Sequence, residues 1–162
     1  MYGPARFQQR RPPAYQNLPK FWRSKISEAT KLNARLIHWD LVTRFTSATA
    51  TISDLWDWIE TGFTYAHMMQ LLIDDGLEFE DDAIRAINAQ ITAYDSVIER
   101  LRRTGKAGFS GNELATARAA ATVMDSLLDL DRNGIADKAG RWSAAQMHSL
   151  RATGNLSRKK IT

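Results

Sequence analysis

Residues 81–103, DDAIRAINAQITAYDSVIERLRR, decide the fold. Apolar side chains recur in this stretch at alternating spacings of three and four residues, at Ile84, Ile87, Ile91, Tyr94, Ile98 and Leu101. On an α-helix this spacing aligns them in one continuous seam, which a partner helix must cover. Acidic residues open the stretch and arginines close it, as the helix macrodipole favours. We therefore predict one long helix over 81–103.

A second seam follows after a short connection that contains Gly105 and Gly108. Ser110 and Glu113 form a capping-box signature, which predicts a helix over 110–130. The apolar spacing is repeated there at Leu114, Ala117, Ala121, Met124 and Leu128. Two seams joined by a short loop predict an antiparallel helical hairpin at the centre of the fold. A single chain and a homodimer bury the same seam residues, so the sequence leaves both open.

The flanking sequence predicts further helices around this hairpin. A patchy helical period begins near Ser24, includes Ile26, Ala29, Leu32, Leu36 and Leu41, and favours one helix broken near Trp39. After a linker over 46–51 we predict short helices at 53–61 and 65–74, with a turn at Gly62, and a last helix over 135–152. The expected fold is an all-α bundle of five or six helices.

The 162 residues suit one domain with extensions at both ends. All four prolines lie in residues 1–19, where no helical apolar period is present. This composition predicts a disordered basic arm over 1–23. A single helical domain is expected over 24–152, followed by a loose basic tail over 153–162.

Composition excludes several classes of function. The chain has no Cys, so disulfides, thiolate nucleophiles and Cys-based zinc sites are excluded. It has no apolar run of about 18 residues, and the first 25 residues lack the apolar stretch of a secretory signal. We expect a cytoplasmic protein without membrane association.

No catalytic signature is present in the sequence. His38, His67 and His148 are scattered and do not have a metal-binding spacing. We find no nucleophile motif, phosphate-binding glycine loop or paired acid and base. The sequence therefore predicts a protein that is not an enzyme and needs no cofactor.

Charge is strongly segregated along the chain. Residues 45–84 contain nine acidic residues and no Lys or Arg. Residues 1–44 contain nine basic and two acidic residues, and residues 133–162 contain six basic and one acidic. Surfaces of opposite sign indicate partners and association rather than a reaction.

The two termini are the candidate nucleic-acid-binding segments. Their basic residues attract phosphates, and aromatic residues interleaved with those of the arm offer surfaces on which bases can stack. The basic set is Arg6, Arg10, Arg11, Lys20, Arg23, Lys25, Arg158, Lys159 and Lys160, and the aromatic set is Tyr2, Phe7, Tyr15, Phe21 and Trp22. The same composition suits an arm that folds onto a protein partner, or a solubilising tail.

The acidic middle of the chain is the candidate protein-docking face. Trp56 and Trp58 lie two residues apart, so on a helix they point about 200° from each other. Because Leu55 and Ile59 share the side nearer Trp58, Trp56 rather than Trp58 is the candidate contact residue, and burial of Trp56 under the basic arm is the other interpretation that the sequence leaves open. Such a face would dock onto a basic partner through Trp56, Trp58, Asp57, Glu60, Asp81 and Asp82.

The segment DLDRNGIAD, residues 129–137, is similar to a calcium-binding loop. Alternating oxygen ligands and a sharp turn at Gly134 are what Ca²⁺ needs, and the candidate ligands are Asp129, Asp131, Asn133 and Asp137. Gly140 replaces the bidentate acid that ends such a loop. We therefore expect weak binding at best, and Asn133 with Gly134 equally suits an ordinary interhelical turn.

Residues 59–76, IETGFTYAHMMQLLIDDG, have the layout of a helix-turn-helix entry. Through Gly62, Phe63, Thr64, Tyr65, Leu72 and Gly76 the segment resembles DNA-binding accessory proteins of bacterial plasmids and other mobile elements. The resemblance covers about a tenth of the chain and implies that the following helix binds DNA. That helix starts with Glu80, Asp81 and Asp82, whose charge opposes contact with phosphates. The nucleic-acid prediction therefore rests on the termini.

Two functional hypotheses follow. The first is a non-enzymatic bacterial accessory or regulatory protein, of a mobile element, that binds nucleic acid through its basic termini. The alternative is a helical adaptor or inhibitor that docks its acidic, Trp-containing face onto a basic protein partner.

Overall fold

The computed structural model describes residues 26–153, with side chains up to Leu150. Within this range the chain forms five α-helices and no strand. They are α1 (Glu28–Thr46), α2 (Ile52–Asp74), α3 (Asp81–Thr104), α4 (Gly111–Asp129) and α5 (Ile135–Thr153). The predicted all-α helical bundle is thus confirmed. The predicted arm over 1–23 and nearly all of the predicted tail over 153–162 lie outside the described residues.

Helix α2 is the central element of the bundle. Fifteen of its 23 residues are buried, and it packs most extensively on α5 and also contacts α1, α3 and α4. A helix that is apolar on nearly all sides must be covered on nearly all sides. The hairpin of α3 and α4 packs against α2 as one layer of the bundle.

The predicted turn at Gly62 is wrong, because α2 runs unbroken through this position. Gly62 provides space for Tyr94 of α3, whose hydroxyl lies against the glycine backbone. The Tyr94 hydroxyl donates to the Trp58 carbonyl at 3.4 Å and accepts from Gln90 Nε2 at 3.0 Å. This glycine therefore serves close helix approach and not a turn. The cap is also displaced from Ser53, since Thr51 and Asp54 form the capping box of α2.

Helix α1 differs from its prediction in two ways. It begins after the N-cap Ser27 and continues without a break past Trp39. Its buried face is not the predicted one, because Leu32 and Leu36 are 57% and 59% exposed. The inward face carries Lys31, Ala34, Ile37, His38, Leu41, Val42 and Phe45. The leucine spacing predicts that the face with Leu32 and Leu36 points inward. Polar partners on α4 hold the opposite face of α1 inward instead.

The predicted hairpin of α3 and α4 is confirmed. Gly105 ends α3 in the left-handed conformation, with φ of 71°, and Ser110 and Glu113 form the expected capping box of α4. Arg100 Nη1 and Nη2 donate to the two carboxylate oxygens of Glu113 at 2.7 Å each. Burial alone would raise the pKa of Glu113, but these hydrogen bonds and those from Ser110 outweigh it and lower that pKa.

The middle of the α3 seam is filled within one chain. Ile87, Ile91, Tyr94 and Val97 are buried in the bundle, whereas Ile84, Ile98 and Leu101 are partly buried at its edges. The seam thus needs no second copy to cover it. The predicted homodimer stays a prediction.

Replacement of Gly62 by Ala should destabilise the fold by about 1–3 kcal/mol, the usual cost of overpacking a core. The added Cβ would overlap the Tyr94 hydroxyl, which is fully buried and has no room to withdraw. Denaturant unfolding followed by circular dichroism measures the change. Tyr94→Phe combined with Gly62→Ala should recover only part of the loss, because the ring carbon that bears the hydroxyl also lies close to the new Cβ.

Gly111→Ala is the matched control for this substitution. Gly111 is the first residue of α4, and a Cβ there meets nothing within 4 Å. We expect a change within about 1 kcal/mol, of stabilising sign. Equal losses of stability in the two variants would contradict the close contact between α2 and α3.

Candidate docking surface

Residues 74–82, DDGLEFEDD, connect α2 to α3 and form what we call the acidic loop. Six of its nine residues are carboxylates, and all six are exposed. They are Asp74, Asp75, Glu78, Glu80, Asp81 and Asp82. This loop is the most concentrated patch of exposed acidic side chains in the described part of the chain.

The entry to the acidic loop is fixed by a Schellman motif at the end of α2. Gly76 adopts a φ of 93°, and its N–H donates to the Ile73 carbonyl at 2.9 Å. The N–H of Leu77 donates to the Leu72 carbonyl at 2.9 Å. The backbone thus leaves the helix along one defined path.

The exit of the loop is fixed by the start of α3. Glu80 is the N-cap, and its carbonyl accepts from the Ala83 N–H at 3.0 Å, while its carboxylate makes no capping hydrogen bond. Leu77 and Phe79 are half-buried against the core, and Glu78 and Glu80 are exposed. The loop therefore alternates apolar residues inward with carboxylates outward.

Three carboxylates of the acidic loop are available to a partner. Asp75 Oδ2 lies 2.7 Å from Arg132 Nε, and Asp82 pairs with Arg85. Asp74 Oδ1 accepts from Gln70 Nε2 at 3.0 Å. Among the residues that the structure describes, no basic side chain lies within ion-pair distance of Glu78, Glu80 or Asp81, although the charge of Arg85 also acts on Asp81. Asp81 lies in the first turn of α3, where the macrodipole stabilises negative charge. The loop presents an ordered negative field suited to a cationic surface.

Half of the predicted docking face is inside the protein. Trp58, Asp57 and Glu60 are only 2% to 6% exposed, so they cannot contact a partner in this structure. The prediction for these three residues is wrong because α2 is covered on nearly all sides. Trp56 is partly buried and keeps some exposure, as its predicted orientation opposite Trp58 requires.

The structure also separates the remaining members of that face. Trp56 lies near the start of α2, whereas Asp81 and Asp82 follow its end. The eighteen residue steps from Trp56 to Asp74 correspond to about 27 Å along the helix axis, at 1.5 Å per residue. Trp56 and the acidic loop are therefore two distinct surfaces.

A second charged feature, which the sequence reasoning missed, lies between α1 and α4. Asp125 of α4 accepts from His38 Nε2 at 2.8 Å and from Trp39 Nε1 at 2.9 Å. Arg35 Nη2 donates to the Asp125 carbonyl at 3.0 Å and to Asp129 Oδ2 at 2.9 Å. We call Arg35, His38, Trp39, Asp125 and Asp129 the α1–α4 cluster.

The signal for this cluster was present in the sequence as matched periodicity. Lys31, Arg35 and His38 recur at helical spacing on α1, and Asp125 and Asp129 are four residues apart on α4. Complementary charges at such spacings favour two facing helices. Arg35 and then Lys31, by hydrogen bonds to Asp129, lower the pKa of that carboxylate.

The calcium-loop interpretation is contradicted by the directions of its carboxylates. Asp129 pairs with Lys31 and Arg35, whereas Asp137 pairs with Arg141 at 2.8 Å. Asp131 Oδ1 accepts from the Ala136 N–H at 2.8 Å, which caps the start of α5. Asn133 and Gly134 have φ of 54° and 70°, and so form the interhelical turn. Within the described helices and their connections, no three His, Asp or Glu side chains are grouped to hold a metal ion.

The predicted nucleic-acid-binding residues lie outside the described part of the chain. They are Arg6, Arg10, Arg11, Lys20, Arg23, Lys25, Arg158, Lys159 and Lys160. The structure thus leaves this prediction untested.

Comparison with known proteins gives no family assignment. No protein-family model, curated protein or solved structure shows a significant match to this chain. Of the five described helices, none combines the length and the apolar character needed to cross a bilayer. Function must therefore be argued from the surfaces themselves.

Asp125→Asn should lower the free energy of unfolding by about 1–3 kcal/mol, because the amide oxygen can accept from only one of His38 Nε2 and Trp39 Nε1, and its N–H₂ would face the other. Asp129→Asn, one turn further along α4, is the matched control. The Asp129 side chain is 58% exposed, so its loss should cost less than about 1 kcal/mol. Urea unfolding compares the two variants, and equal effects would contradict the role of Asp125 as the main acceptor of the α1–α4 cluster.

Proposed function

We propose that this protein is a non-enzymatic helical adaptor that docks its acidic loop onto a basic surface of a protein partner. The single observation that carries the proposal is the set of exposed carboxylates Glu78, Glu80 and Asp81, none of which forms an ion pair with a described residue, on a loop fixed at both ends. A loop that is ordered before binding loses little conformational entropy on docking. We also propose a cytoplasmic location, which the cysteine-free composition fits.

The charge of the helical body supports the same partner chemistry. Residues 26–153 contain 13 basic and 18 acidic side chains, so the body is negative although the whole chain is positive. A negative body adds its field to that of the loop and speeds encounter with cationic surfaces. Trp56, at the other end of α2, is not needed for this contact.

Glu78→Gln combined with Glu80→Gln should weaken capture of the partner and lower its association rate about tenfold at low salt. Neither carboxylate caps a helix or pairs with a described basic residue, so the fold should be unchanged. Affinity capture on the immobilised full-length protein, read by mass spectrometry, identifies the partner. Association rates with the purified partner then quantify the effect.

Glu28→Gln combined with Glu99→Gln is the matched control. Both residues are exposed and lie outside the acidic loop, so this variant removes the same charge at other places. Partner binding should stay at the wild-type level. Equal retention of every captured protein by both double variants would refute the acidic loop as the docking surface.

A second candidate function is nucleic-acid binding by the termini. It is favoured by six basic and no acidic residues in residues 1–25, and three basic and no acidic in residues 154–162. Because the helical body is negative, phosphate contact would be confined to these two segments. Such a protein would be an accessory or regulatory protein of a bacterial mobile element, as the resemblance around Gly62 to Tyr65 implies.

Deletion of residues 1–25 should abolish most nucleic-acid affinity in mobility-shift titrations with a duplex and a single strand of the same sequence. Binding by the full chain should fall steeply with salt, because released counterions drive it. Affinity that is independent of salt, or unchanged by the deletion, would count against this function.

Two triple variants refine the same experiment. Arg158→Gln, Lys159→Gln and Lys160→Gln together should weaken binding and reduce the salt slope. Arg102→Gln, Arg103→Gln and Lys106→Gln together remove the same charge from an exposed part of the helical body. This second triple variant should bind as the wild type does.

A further inference from the structure

Helix α1 is held to the bundle by buried apolar residues and by polar contacts. It packs mainly on α4 and to a smaller extent on α2. Its outer face exposes Leu32 and Leu36, and its inner face contributes to the α1–α4 cluster. Within α1, Leu41, Val42 and Phe45 are buried after His38, so the turns before His38 are the part whose detachment exposes the least core.

His38 lies at the centre of the contact between α1, α2 and α4. It is 2% exposed, and its ring meets the Tyr65 ring edge-on at a centroid distance of 5.6 Å. Its Nε2 pairs with Asp125 Oδ1 at 2.8 Å. The other ring nitrogen, Nδ1, is buried and has no hydrogen-bond partner among the described residues.

The neutral imidazole suits this site and the imidazolium does not. With Nε2–H donating to Asp125, a neutral ring leaves only a lone pair unmatched at Nδ1. Protonation would place a buried N–H donor there with no acceptor, which is the costlier defect. The arrangement of hydrogen-bonding groups around His38 therefore favours the neutral ring over the protonated ring.

The charged groups around His38 do not cancel this preference for the neutral ring. Asp125 of α4 attracts an imidazolium. The Nε of Arg35, on α1, lies 3.7 Å from the Asp125 carboxylate, and the positive charge of Arg35 repels an imidazolium. On α2, burial raises the pKa of Tyr65 above its usual range, so that ring stays neutral. Burial outweighs Asp125, and the pKa of His38 is lowered.

We infer that His38 is an acid-sensitive latch: protonation of its ring loosens the first turns of α1 from α4 and α2 while the other helices stay packed. Arg35, Trp39 and Asp125 then lose their mutual contacts across the α1–α4 cluster. The Phe45–Phe109 stack, with centroids 4.7 Å apart, anchors the end of α1. Release therefore starts from the first turns of the helix.

The direction of the pH dependence follows from linkage. His38 has a lower pKa when α1 is docked than the ordinary value near 6.5 that it regains on release. The released state binds one more proton between these two values. The docked state therefore has full stability above about pH 6.5 and loses it as pH falls below that value.

Native-state hydrogen exchange on the full-length protein tests the latch, with rates corrected for the intrinsic effect of pH. Protection of α1 amides should fall by up to about tenfold per pH unit below about pH 6.5, as one-proton linkage requires. Protection of α3 amides should fall less over the same range. Parallel loss in α1 and α3, or α1 protection that is independent of pH, would overturn the proposal.

Two variants and one spectrum complete the test. His38→Gln keeps a donor toward Asp125 and should make α1 protection independent of pH, whereas the exposed His148→Gln should behave as the wild type. Nitrogen-15 spectra of the wild-type imidazoles give the pKa of His38 without any substitution. A His38 that titrates at or above about 6.5 in the folded protein would refute the latch.

Discussion

The burial of α2 constrains every other helix of the bundle. Since this helix meets a neighbour in almost every direction, its polar groups must be matched inside the protein. The Thr64 hydroxyl is bonded both to the Glu60 carbonyl at 2.9 Å and to the Ser143 hydroxyl of α5 at 2.5 Å. Gly62 admits the Tyr94 hydroxyl on another side. The positions of α3 and α5 are thus fixed by small or polar residues that leave little freedom of register.

Acidic residues serve two opposite purposes in this molecule. In the α1–α4 cluster, Asp125 is surrounded by donors and contributes to packing, because an unmatched charge there would be costly. In the acidic loop, Glu78 and Glu80 face water, where a carboxylate costs little and acts at a distance. Carboxylates thus contribute to packing at one place and form an exposed negative field at another.

Sequence was sufficient where the determinants are local and failed where they are distant. The limits of α3 and α4 follow from seams and caps within one segment, and these predictions were confirmed. The role of Gly62 depends on Tyr94, which lies in another helix, and a glycine alone fits a turn as well as a close contact. The buried face of α1 depends on Asp125 in the same way. For the docking surface, sequence located Asp81 and Asp82 but not the burial of Asp57 and Glu60, because only the packing of α2 reveals it.

The pairing of α2 with α5 has a consequence for biosynthesis. The hydrogen bond between the Thr64 and Ser143 hydroxyls joins residues 79 positions apart. At a synthesis rate of about 5–20 residues per second, the ribosome completes α5 roughly 4–16 s after the matching part of α2. The contacts between α3 and α4 are local in sequence, so this hairpin can form during this interval. The side of α2 that faces α5 therefore stays uncovered until the last helix of the bundle is made.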